Sequence, residues 1–129
     1  MYAEAYRRGQ DRVVSFMVGR DPEVNVPATP DWTAADVVRH LSGLAADLTS
    51  GVVEGYASDP WTARQVAMRQ EMSLEDVVEE WNSAVDAAAE VLDNPEAAGF
   101  PAIVSSDAGS FPRDALPAMA ISDILHHEF

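Results

Sequence analysis

Cysteine is missing from this chain. That excludes disulfides, zinc–thiolate sites and a cysteine nucleophile, so any thiol chemistry needs a thiol supplied from outside. Positive charge is scarce: 8 basic residues face 22 acidic ones, for a formal charge of −14. A surface of that sign repels phosphate backbones and anionic lipid, so neither nucleic acid nor a membrane is expected as partner, while cations are mildly attracted. No stretch is long and apolar enough to span a bilayer. Met1 to Gln10 lacks the apolar run of a signal peptide, and a cytoplasmic location is the default expectation. There is no glycine-rich phosphate loop, no serine in a nucleophile motif, no internal repeat and no low-complexity tract. What is present is 129 residues, 47% of them apolar, enough for one domain with a sizeable core.

Hydrophobic spacing predicts four main helices, near residues 2–18, 33–53, 74–92 and 116–129. Tyr2, Tyr6, Val13 and Met17 form the first stripe; Gly9 weakens its middle, and Gly19 with Pro22 marks its end. Asp21 to Trp32 holds Pro22, Pro27 and Pro30 and reads as a stiff, extended connector, with Val24 and Val26 tucking under the helices. Thr33 and Asp36 have the spacing of a capping box, and Val37, Leu41, Leu44, Leu48 and Val52 follow as a buried stripe. The residues from 54 to 72 form a long connection in which 61–70 has the pattern of a short helix. Ser73 and Asp76 repeat the capping pattern before Leu74, Val77, Val78, Trp81, Val85, Ala88 and Leu92, and Asn94-Pro95 ends that helix. Gly99 to Arg113 reads mainly as loop, with a brief strand at 102–104. Pro112 and Pro117 lie near the start of the last helix, where proline is tolerated. Four amphipathic helices in one domain imply an all-α four-helix bundle.

The last helix holds the candidate chemistry. Asp123 and His127 are one turn apart, and at ~100° per residue they share an arc with Leu116, Ala120 and Ile124. A carboxylate on a core-facing arc needs a cation, a donor or a water-filled pocket. Asp and His are ordinary ligands for divalent transition metals; alone, the same pair reads more readily as an intrahelical ion pair, worth under ~1 kcal/mol when exposed. His126 points about a quarter-turn away. His40 lies at the edge of the second stripe, and its plainest reading is a boundary histidine hydrogen-bonded to Asp36. If the second and last helices are neighbours, His40, Asp123 and His127 suit a metal site built from facing helices. Trp32, Trp61 and Trp81 read as packing residues, Trp61 with a pocket-lining alternative. Arg64, Arg69 and Arg113 stand in connectors, solvated or free to take an anionic substrate group.

The run Val26-Pro27-Ala28-Thr29-Pro30-Asp31-Trp32-Thr33, then Asp36, Val37, Val38, His40 and Leu41, resembles the mycothiol-dependent maleylpyruvate isomerase N-terminal domain family of the DinB-like metalloprotein superfamily. Ser73-Leu74-Glu75-Asp76-Val77 with Glu80-Trp81, and the ending Asp123-Ile124-Leu125-His126-His127-Glu128, resemble it too. The resemblance implies a DinB-like four-helix bundle over residues 1–129, either a whole protein or the N-terminal domain of a longer one. It implies a divalent metal, zinc first and nickel as the alternative, held by His40, Asp123 and His127. It further implies that the metal activates mycothiol or a similar small thiol toward an electrophilic small-molecule substrate, as a metal- and thiol-dependent transferase or isomerase. The isomerase-type pattern has glutamate where this chain has Asp123, one methylene shorter, so the ligand must come from a closer backbone or act through water. Relatives commonly continue past this histidine and often add a C-terminal domain that contributes to the thiol and substrate site. The second hypothesis is a non-catalytic binding or dimerisation module on the same bundle, acting as a homodimer or docking another domain.

Overall fold

The computed structural model describes the backbone of residues 2–17, 21–26, 29–51, 59–106 and 109–126, and the side chains of these except 25–26, 29–31, 59, 105–106 and 122–126. Helix α1 spans Tyr2–Met17, α2 Ala34–Ser50, α3 Asp59–Ala67, α4 Leu74–Asp93 and α5 Leu116–His126. Two short antiparallel hairpins join them: β1 (Asn25–Val26) with β2 (Thr29–Thr33), and β3 (Ile103–Ser106) with β4 (Gly109–Pro112). The fold is an all-α bundle of four main helices with α3 laid against it.

Each stripe finds its place in one core. Tyr6 and Val13 from α1, Leu41, Leu44 and Leu48 from α2, Trp81 and Leu92 from α4, and Leu116 and Ala120 from α5 are all fully enclosed. Among the described residues α4 is central: it packs against α2, α1 and α5, while α3 packs on α2 and α5 chiefly on α1. The enclosed Trp81 would leave its indole N–H without water, and the Tyr6 hydroxyl accepts it at 2.9 Å. The Asp93 carboxylate accepts the Ala3 N–H at 3.0 Å, so the end of α4 caps the start of α1.

The capping box of α2 forms as its sequence predicts. The Thr33 hydroxyl accepts the Asp36 N–H at 3.1 Å, and Asp36 Oδ2 accepts the Thr33 N–H at 3.3 Å. The connector completes this end: the Val24 carbonyl accepts the Ala34 N–H and the Pro22 carbonyl the Ala35 N–H. The first three N–H groups of α2 are thereby paired outside the helix. Ser73 caps α4 by accepting the Asp76 N–H at 3.2 Å.

Several expectations change. The proline-rich connector folds partly into the β1–β2 hairpin, and Val24 is 55% exposed rather than tucked under the bundle; the Val26 side chain lies outside the described residues. The brief strand predicted at 102–104 is half of a hairpin whose reversal ends on Gly109 at φ 113. Helix α2 ends at Ser50, before residue 53, because Gly51 takes the left-handed conformation at φ 74. Val52 and the Gly19 cap lie outside the described residues, as does the end of the last helix beyond residue 126. Among the described residues no helix is long and apolar enough to cross a membrane.

Candidate functional site

His40 stands on the inner side of α2 and is 2% exposed. Asp36 is one turn away, but its carboxylate is engaged by the cap, by Arg39 Nη1 at 2.8 Å and by Gln70 Nε2 at 3.2 Å. Those donors matter: burial raises the Asp36 pKa, yet the hydrogen bonds from Thr33, Arg39 and Gln70 and the Arg39 charge outweigh it and leave the group below the usual aspartate value. The expected His40–Asp36 bond gives way to a partner from α3: His40 Nδ1 lies 2.7 Å from Gln65 Oε1. The Trp32 ring packs beside the imidazole, centroids 5.4 Å apart and planes tilted by 49°.

Gln65, itself 1% exposed, is bonded on its other side. Its Nε2 donates to Asp47 Oδ2 at 2.9 Å, and Arg64 Nη2 donates to the same oxygen at 2.7 Å. A chain of polar contacts thus runs Arg64–Asp47–Gln65–His40 through the seam between α2 and α3. Gly43 makes the seam possible, because a Cβ there would lie 2.5 Å from Gln65 Cβ and 2.8 Å from its Cγ. Beside this chain the Arg69 guanidinium, 6% exposed, grips Glu80 through both carboxylate oxygens at 2.7 and 3.0 Å and donates to the Gln65 carbonyl at 3.0 Å. Ser42 donates to Glu80 at 2.8 Å. Arg69 therefore ties α3 to α4 rather than standing solvated in a connector, and Arg64 is likewise committed to Asp47.

On α5, Leu116 and Ala120 are enclosed, as the predicted arc requires. Position 123 continues that arc one turn on, at ~100° per residue. The Asp123 side chain, the His126 side chain and the whole of His127 lie outside the described residues, and with them the convergence expected of His40, Asp123 and His127. Among the described residues no three His, Asp or Glu groups gather as a metal cluster.

Sequence reading missed Gln65 and Asp47. The available signal was spacing: Trp61 and Gln65 are one turn apart, with Arg69 one turn further on, and all three prove buried. A polar residue in the second position of such a row does not register as core by hydropathy, so its burial depends on seeing Gly43 opposite.

The profile of the mycothiol maleylpyruvate isomerase N-terminal domain family matches residues 3–128. The chain belongs to that family. Comparison with characterised proteins and with solved structures gives no significant match. For a member of a mycothiol-linked family, the absence of cysteine means that no thiol of the chain itself competes for the site. The donor set suits a borderline metal: imidazole nitrogen and carboxylate oxygen, without thiolate. His40 fits as one ligand, since its ring is buried and one ring nitrogen is held by a fixed hydrogen-bond partner, the usual arrangement of a metal-ligating histidine.

Proposed function

We propose that this domain binds a divalent metal through His40, Asp123 and His127 and holds a small thiol, mycothiol or one like it, for reaction with an electrophilic small molecule. The observation that carries the reading is the buried His40 imidazole, oriented by Gln65 on the inner side of α2. The whole-length family match supplies the link to a thiol. Three protein ligands leave positions open on the ion, the pattern of catalytic rather than structural sites. When bound, the metal supplies the charge that keeps a coordinating thiol deprotonated and nucleophilic. The chain's own part is placement. His40 is held from two sides by Gln65 and Trp32. In the sequence Asp123 and His127 fall at helical spacing from Leu116 and Ala120, which are core.

The test is thiol binding by calorimetry to metal-loaded and metal-stripped protein. Binding should require the metal and vanish in His40→Ala. Equal thiol binding by the stripped protein would contradict the reading.

A further inference from the structure

We infer that Gln65, anchored by Asp47, is a positioning residue that fixes His40 in the tautomer protonated on Nδ1, so that Nε2 carries the lone pair. Its consequence for metal binding rests on the function proposed above; the tautomer does not.

An ionised carboxylate only accepts hydrogen bonds. Asp47 Oδ2 lies 2.9 Å from the terminal group of Gln65 and 2.7 Å from Arg64 Nη2. The group that Gln65 turns toward Asp47 must therefore be its NH2. The reversed amide would set a carbonyl oxygen against the carboxylate and bury an unpaired acceptor, a penalty of about 1–3 kcal/mol. With the NH2 on Asp47, the Gln65 carbonyl faces His40 Nδ1 at 2.7 Å. A carbonyl oxygen donates nothing, so Nδ1 must carry the proton. In a neutral imidazole the lone pair then sits on Nε2. Free histidine prefers the opposite tautomer, so the relay reverses an intrinsic preference.

The surroundings hold the relay in place. Gln65 cannot swing away, because its Cβ and Cγ lie against the backbone of Gly43 and its own carbonyl accepts Arg69 Nη1 at 3.0 Å. The Trp32 ring packs beside the imidazole, with ring centroids 5.4 Å apart. Both Gln65 and His40 are enclosed, so water does not compete for either hydrogen bond. A metal ligand that donates its other N–H to a fixed acceptor is oriented and made more basic, and loss of such a partner lowers metal affinity roughly 10–100-fold. Gln65 and Asp47 take that part here without touching the ion.

The tautomer is read directly by nitrogen NMR of histidine-labelled, metal-free protein at mildly alkaline pH, with the His40 signals assigned by their loss in His40→Gln. The wild-type protein should show the proton on Nδ1 and the lone pair on Nε2; a proton on Nε2 in place of Nδ1 would overturn the inference with no variant needed. Gln65→Met removes the acceptor and should mix the tautomers and weaken zinc binding roughly 10–100-fold. Asp47→Asn keeps an acceptor for the Gln65 amide and should preserve the wild-type tautomer. An unchanged tautomer in Gln65→Met also overturns the inference. If Gln65→Met disturbs the tautomer but the wild-type protein binds no zinc, the relay stands and the metal reading falls. If zinc binds through His40 and Gln65→Met changes neither tautomer nor affinity, the metal reading stands and the relay falls.

Discussion

One added methyl group at Gly43 would strike Gln65 in the seam between α2 and α3. The contact is with the root of the Gln65 side chain rather than its tip, at 2.5 Å, so the clash is relieved only by parting α2 from α3. Gly43→Ala should destabilise the fold by about 1–3 kcal/mol, the usual range for overpacking, and urea unfolding would measure it. Tyr6 makes a second prediction. Burial raises its pKa and the hydrogen bond with Trp81 lowers it, with a net rise from 10.0 to about 12. A phenol raised in the folded state stabilises fully below its unfolded pKa and loses that contribution as pH climbs from 10.0 through about 12. Tyrosinate absorbance should therefore show a hydroxyl that titrates late and together with unfolding. Tyr6→Phe would strand the Trp81 indole N–H, at a cost of about 1–3 kcal/mol, and would remove that alkaline transition.

Element ends in this protein are written in local sequence, and their penalties should be local too. Thr33→Ala removes the hydroxyl that accepts the Asp36 N–H and should lower stability by about 0.5–2 kcal/mol, read as a lower thermal midpoint. The same locality explains what the sequence reveals. Thr33, Asp36 and Ser73 state where α2 and α4 begin, and the spacing of Leu41, Leu44 and Leu48 states which face is buried, because capping and helical period involve only neighbours in the chain. The hairpins are harder to read. Ile103 pairs with Pro112 across a reversal that ends on Gly109, and Gly99 in the same polar stretch offers an equal turn signal, so glycine alone does not mark where the chain turns back. Val24 departs from its expected place for a related reason: its carbonyl serves the start of α2, while its side chain faces water. His40 and Gln65 show the limit at the site itself. Nothing local joins residue 40 to residue 65; the contact exists because Gly43 lets α3 lie on α2.

Across the whole molecule, charge sets the response to pH. Burial raises the Glu80 pKa, but hydrogen bonds from Arg69 and Ser42 and the Arg69 charge outweigh it, leaving Glu80, like Asp36, below its ordinary value. A carboxylate depressed on folding stabilises above its unfolded pKa and loses that contribution as pH falls through the folded one. Stability should therefore decline from the ordinary values of 4.5 and 3.8 downward, and the deficit of Glu80→Gln relative to wild type should shrink over the same interval. With a formal charge of −14, the protein should show no salt-sensitive retention of DNA in a gel-shift experiment. The proposed chemistry stands or falls with a bound metal, which elemental analysis of purified protein measures. Wild-type protein should carry a divalent metal, His40→Ala, Asp123→Ala and His127→Ala should each lose most of it, and His126→Ala should keep it. A wild-type protein that takes up no divalent metal, or equal losses from His126→Ala and His127→Ala, would contradict the account.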